Sequence, residues 1–225
     1  MSGLDTQNLP NLTKEARETH RRLLDAAEEL FAQKGLDGTP IRDITTKADR
    51  NQASINYFFG NKQELYEELF RRRLREMRDT RLAGIKAAMT KSKKPTLENL
   101  LRAFAVAFIE PFKNPIRNER FMKLFARELV DQRLPRDMFL KEMAVPVMTA
   151  FEDALAEIHP KMNKRDVQMS IHSIIGQLVH VIQVKAMFEG KQSHAIATFN
   201  IDEAIDHIVK FSAGGIRAFV EGGQK

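Results

Sequence analysis

The sequence predicts an all-α protein, with an N-terminal three-helix unit followed by a larger helical domain. Three observations predict it. Apolar residues recur at spacings of three and four rather than two. With 11 Gly and 8 Pro in 225 residues, turn formers are too few for a sheet-rich chain. The breakers that do occur fall between segments of helical length. A hydrophobic fraction of 43%, with 15 Phe and 10 Met, supplies a core and excludes disorder as the dominant state. The absence of cysteine from the sequence removes disulfides, thiolate metal sites and cysteine nucleophiles. No run of about 18 apolar residues is present, and Met1–Leu12 is polar. The expectation is a cytoplasmic chain with no membrane partner.

The first helix starts at the N-cap Thr13 and runs to Lys34, with Ala16, Leu23, Ala27, Leu30 and Phe31 on one face and Gly35 as a left-handed stop. Thr39 as N-cap and Pro40 at the first position open a two-turn helix that buries Ile41, Ile44 and Ala48. Asp49 to Asn51 forms a tight connection, and Gln52 to Phe59 gives a second two-turn helix. Asn61 and Glu64 form a capping box for a helix over 62–90, which ends in the basic, proline-terminated stretch 91–95. Further helical patterns cover 96–112, 117–132, 136–158, 164–189 and 201–220, and Pro111 and Pro146 should end or kink theirs. The expected domains are 13–80 and 81–225.

Two short helices joined by a tight turn, after a supporting helix, make a helix-turn-helix, whose second short helix enters the major groove. The segments Leu24–Gly35, Gly38–Ile44 and Ile55–Lys62 resemble the TetR/AcrR family of transcriptional regulators. The run from Gln52 to Tyr57 followed by Phe59-Gly-Asn-Lys62 is most similar to its CecR-type branch. That branch usually carries Gly and Val where this chain has Asp49 and Arg50, and His where it has Phe58. Asp49 tolerates a left-handed turn. Arg50 either loosens the turn or swings outward toward phosphate, and Phe58 widens the apolar side of the helix.

Ile55 and Phe59 should point inward, leaving Gln52, Ala53, Ser54, Asn56 and Tyr57 for DNA. Gln and Asn pair with adenine, and Ala contacts a thymine methyl, so Gln52, Ala53 and Asn56 are the base-reading candidates. By resemblance, Thr39, Tyr57 and Lys62 hold the phosphate backbone. Arg42 and Lys47 add charge from the second helix. Arg71, Arg72, Arg73, Arg75 and Arg78 look like a nucleic-acid stripe, but Glu67–Arg71 and Glu68–Arg72 fit ordinary helical ion pairs better. Arg17, Arg21 and Arg22 are further phosphate candidates.

The resemblance implies that the larger part senses a small molecule and forms a homodimer. Phe104, Phe108, Phe125, Met143 and Met148 offer adaptable apolar walls, beside which Arg127 could orient a polar group. Ordinary core is the competing reading, as is ion pairing for Arg120, Arg127 and Glu128. His172 and His180 lie four apart, but no third ligand accompanies them, so neither metal nor cofactor is expected. The last two helices would pack against their twofold mates through Ile174, Leu178, Ile208, Ser212 and Ile216, with Gly214 and Gly215 permitting close approach. The same stripe could instead pack within one chain.

The implied function is a ligand-responsive regulator, a repressor, that binds a near-palindromic double-stranded operator as a dimer. An enzyme acting on an apolar small molecule is the alternative, yet no nucleophile elbow, phosphate-binding glycine loop or metal-ligand cluster supports it. A nucleic-acid-packaging protein would exploit net charge alone. The formal charge of +6 does not favour that reading, because residues 1–81 hold 15 Lys+Arg and 14 Asp+Glu. The DNA-binding assignment rests on a few placed residues.

Overall fold

The structure, a computed structural model, describes residues 13–91, 94–113, 115–188 and 200–222. All regular elements among them are helical: α1 (Lys14–Lys34), α2 (Ile41–Ala48), α3 (Ala53–Phe59), α4 (Lys62–Thr90), α5 (Leu97–Ile109), α6 (Pro115–Asp131), α7 (Val145–Ile158), α8 (Lys164–Phe188) and α9 (Ile201–Gly222). The expected caps set the early boundaries. Thr13 accepts from the Ala16 amide at 3.2 Å. Gly35 takes φ +74° and ends α1. Asn61 and Glu64 bond reciprocally at the start of α4.

Two proline effects follow the sequence. α5 stops at Ile109, and Pro111 sits in a single 3-10 turn over Glu110–Phe112. Before Pro146 the chain makes one turn of π-helix, Leu140–Ala144, and only then enters α7.

The chain forms two compact units, one from residues up to Arg75 together with Asn114–Phe139, the other from Glu76–Lys113 and Leu140–Lys225. This differs from a single cut after residue 80. α6 belongs with the helix-turn-helix because its polar side chains are tied to α1 and α4: Arg120 pairs with Glu29 at 2.8 Å, Arg127 donates to the Gln33 carbonyl, and Glu128 accepts from Tyr66 Oη. These bonds also take Arg120, Arg127 and Glu128 as structural groups.

The first unit is centred on Leu23, Leu24 and Phe31 of α1, Ile44 of α2, Ile55 and Phe59 of α3, Leu65, Leu69 and Phe70 of α4, and Leu124 of α6, all buried. In the second, one continuous core joins α5, α7, α8 and α9 through Leu100, Phe104, Phe151, Ile171, Leu178, Ile205 and Ile216. Gly84 marks a close crossing there, since a Cβ would lie 2.8 Å from Ala107 Cβ and 3.0 Å from the Ala103 carbonyl oxygen. α8 is the described helix long and apolar enough, by composition, to cross a membrane. Its Val167, Ile171, Ile174 and Leu178 lie in this core.

The residues expected at a dimer seam are placed otherwise. Ile174, Leu178, Ile208, Ser212 and Ile216 are all buried within the chain, so the stripe packs intramolecularly. Apolar periodicity locates a buried face without saying whose surface buries it.

Candidate nucleic-acid interface

α2 and α3 are short, and both are fixed from behind. Asp49 adopts the left-handed conformation at φ 55°, and the Asp49 and Arg50 amides close α2 on the carbonyls of Thr45 and Thr46. Arg50 does not swing outward. Its Nε donates to Thr19 Oγ1 of α1 at 3.0 Å, so the arginine that replaces an apolar plug is absorbed as a polar tie. Asn51 supplies the cap of α3, its Oδ1 accepting from the Ser54 amide at 3.0 Å and from Ser54 Oγ at 2.9 Å. Asn51 therefore belongs to α3 as its cap rather than to the connection alone, and an Asn three residues before Ser at a helix start is the sequence signal for it.

α3 presses its apolar side inward through Ile55, Phe58 and Phe59. His20 of α1 stacks on the Phe59 ring at 4.8 Å and meets the Phe58 ring edgewise at 5.8 Å. Burial, reinforced by the nearby Arg72 guanidinium, pushes the His20 imidazole down to about 4. The ring is neutral and acts as an aromatic wedge behind the recognition helix.

The opposite side of α3 presents Gln52, Ala53, Asn56 and Tyr57, all exposed, with Tyr57 59% accessible. Exposure of so large an aromatic on a short helix separates Tyr57 from the small core. The hydroxyl of Ser54 is already used by Asn51, which leaves the other four as the exposed candidates. Arg42 is exposed on α2. Lys47 is exposed too, but it pairs with Glu29 at 2.7 Å.

Two expected phosphate contacts have internal partners. Thr39 is fully buried, its hydroxyl donating to the Gly35 carbonyl at 2.7 Å and the Leu30 carbonyl at 3.3 Å. It does not cap α2 either, whose N-cap position falls on Pro40. Lys62 Nζ donates to the carbonyls of Leu36 and Thr39 at 2.9 and 3.2 Å, holding the α1–α2 loop against α4. Only one of its three protons is left for an outside acceptor.

The arginine run on α4 is a network of ion pairs rather than a free stripe. Arg71 pairs with Glu67, while Arg72 crosses to Asp25 and Glu28 of α1 at 2.8 and 2.9 Å. Buried Arg73 lies 3.7 Å from Glu28 and over the Phe121 ring. Arg21 pairs with Glu18 and Asp25, and Arg22 reaches Asp49 at 4.0 Å. Of the ligand-lining candidates, Phe104, Phe108, Met143 and Met148 fall in the second unit, whereas Phe125 and Arg127 fall in the first. Among the described residues no group of three His, Asp or Glu is placed to hold a metal ion.

An all-α fold whose two short helices expose a polar recognition face is that of a helix-turn-helix DNA-binding regulator. The pattern described as "Bacterial regulatory proteins, tetR family" matches residues 23–69, and that of "Tetracyclin repressor-like, C-terminal domain" matches 102–215. The second spans half of the sequence, and the chain belongs to the tetR family of transcriptional regulators. Its N-terminal segment is 43% identical over 51 residues to "Probable HTH-type transcriptional regulator YttP" of Bacillus subtilis, covering 23% of this chain and 25% of the relative. It is 36% identical over 59 residues to "HTH-type transcriptional dual regulator CecR" of Shigella flexneri, covering 26% of each. Over 47 residues it is 38% identical to "Biofilm operon icaADBC HTH-type negative transcriptional regulator IcaR" of Staphylococcus epidermidis, covering 21% of this chain and 25% of that one. The chain thus spans about a quarter of the length of these curated relatives.

Among solved structures, a putative tetR-family transcriptional regulator from Mesorhizobium loti superposes with a TM-score of 0.67 at 18% identity, covering 92% of this chain and 98% of that one. The fatty acid degradation regulator FadR from Bacillus halodurans does so at 0.65 and 16%, covering 88% and 96%. Both likenesses show the fold.

Proposed function

We propose that the protein is a dimeric repressor that binds a near-palindromic operator in the cytoplasm and releases it when a small molecule occupies the second unit. The observation that carries the reading is the exposed set Gln52, Ala53, Asn56 and Tyr57 on α3, backed by a neutral aromatic wedge that fixes its direction. Gln52 and Asn56 read adenines, Ala53 contacts a thymine methyl, and Tyr57 with Arg42 meets phosphates. IcaR, described as a negative regulator, supports repression.

The dimer face we assign is the exposed side of α8 and α9. Met169, His172, Gly176 and His180 lie along one helix, and His207, Phe211, Gly214, Gly215 and Phe219 along the other. A Cβ at Gly176, Gly214 or Gly215 would meet nothing within 4 Å, which leaves room for a second copy's helix. The effector must prefer a conformer in which the two recognition helices lose the operator spacing.

Selection of bound fragments from genomic DNA followed by footprinting tests the reading. A defined near-palindrome is expected, and equal affinity for random DNA at the same salt would exclude it. Gln52→Ala and Asn56→Ala should each relax preference at particular bases by roughly 1–3 kcal/mol. Phe211→Arg should give monomers in analytical ultracentrifugation; a persistent dimer would move the seam elsewhere.

A further inference from the structure

Arg81 departs from every arginine that precedes it on α4. Arg71, Arg72, Arg73, Arg75 and Arg78 each face a carboxylate: Glu67, Glu28, Glu28, Glu68 and Asp79 in turn. Arg81 is only 2% exposed, and none of the ion pairs among the described residues involves it. Its guanidinium lies 4.0 Å from the centre of the Phe108 ring. One NH group donates to Met143 Sδ at 2.6 Å, and Nε has no acceptor.

A thioether is a weak acceptor, and a ring face offers only a partial counter-charge. Neither replaces an anion for a group that stays charged. Burial pulls the guanidinium down to about 10, which still leaves it protonated at neutral pH. A buried cation without a counter-ion is a poor structural element, because an apolar side chain of similar volume would serve the core better.

The surroundings define what could complete it. Phe108 stands 5.9 Å from Phe104, which meets Phe151 at 4.8 Å, so an aromatic run leads away from the guanidinium. Met148 packs against the same core. Met143 belongs to the π-helical turn Leu140–Ala144, a geometry that recurs at functional sites, and its unbranched side chain can move aside at small cost. A planar guanidinium matches a carboxylate bidentately. One cation asks for one anionic group, and the aromatic run asks for an apolar body.

We infer that Arg81 is the recognition group of the effector site in the second unit, and that the effector is a small amphiphile with a single carboxylate and an apolar body lying along Phe108 and Phe104 in place of the Met143 side chain. The inference rests on the ligand-responsive reading above and gives the ligand its chemical class.

Titration calorimetry on the full chain tests it with decanoate, benzoate and decanol, beside Arg81→Met and Arg81→Lys. Decanoate, benzoate or both should bind the parent protein, the stronger of the two reporting whether the body is a chain or a ring. Arg81→Met should weaken that binding by about tenfold or more, with Arg81→Lys in between. Decanol should bind the parent and Arg81→Met alike, and weakly. Without ligand, Arg81→Met should melt at or above the parent temperature, since an uncompensated charge is removed; a clearly lower Tm would mark Arg81 as structural and overturn the inference. Absence of carboxylate binding, decanol binding as tight as decanoate, or full affinity in Arg81→Met would overturn it too. If the carboxylate binds through Arg81 but operator affinity is unchanged, this site stands and the ligand-responsive reading fails.

Discussion

Acidification should loosen the seating of the recognition helix, and His20 is the group responsible. Its folded pKa, about 4, lies below the ordinary 6.5, so between those values the unfolded chain binds a proton that the folded chain refuses. Stability from the neutral ring is therefore complete above about pH 6.5 and declines as pH falls toward 4. The full separation corresponds to a ceiling of about 3.4 kcal/mol at 1.36 kcal/mol per pH unit. His20 keeps one edge toward solvent, and screening reduces the expectation to roughly 1–2 kcal/mol. His20→Phe keeps an aromatic ring against Phe58 and Phe59 and cannot titrate. Urea unfolding of both proteins from pH 7.5 to 4.5 isolates the residue, because carboxylates common to both cancel in the difference. The parent should lose roughly 1–2 kcal/mol more than His20→Phe, or about 3–6 °C in Tm for a chain of this length. Parallel pH profiles, or an imidazole titrating near 6.5 by NMR, would refute the reasoning.

Gly84→Ala places a methyl 2.8 Å from Ala107 Cβ, where backbone and a short side chain cannot yield, and should cost about 1–3 kcal/mol in thermal unfolding while leaving the isolated DNA contacts intact. Lys62→Ala and Arg42→Ala should separate two roles by salt dependence and Tm. Arg42→Ala weakens binding to all sequences and lowers the salt slope by about one without moving Tm. Lys62→Ala removes the tie to the Leu36 and Thr39 carbonyls and lowers Tm as well; an unchanged Tm would return Lys62 to a purely phosphate-facing role.

Local chemistry wrote most of the element boundaries into the sequence. Thr13, Gly35, Asp49 and the Asn61–Glu64 pair act within four residues of themselves, so their types and spacing suffice to place the ends of α1, α2 and α4. The inward and outward sides of α3 followed from helical period in the same way. What failed to be legible depends on partners distant in sequence. Thr39 reads as a cap before Pro40, but the folding of the α1–α2 loop turns its hydroxyl back to the Gly35 carbonyl at 2.7 Å and, more weakly, toward that of Leu30 at 3.3 Å. Arg127 reads as a charge beside an apolar wall, but the end of α1 claims it across 94 residues.

The distribution of arginines carries the same lesson into function. In sequence Arg72, Arg73 and Arg81 are three cations on one helix, and charge counting treats them alike. Packing ties Arg72 to Asp25 and Glu28 and sets Arg73 beside Glu28, so both guanidiniums face carboxylates where Arg81 meets a ring face and a thioether. Behind the recognition helix of the first unit, Arg71, Arg72 and Arg73 thus face carboxylates of the same unit. In the second, Arg81 is a buried guanidinium that no ion pair among the described residues reaches, set against Phe108 and Met143. On the reading proposed above, that asymmetry serves a regulator: the face offered to DNA is held by internal contacts, and the buried guanidinium of the second unit is completed by the carboxylate we infer for its effector.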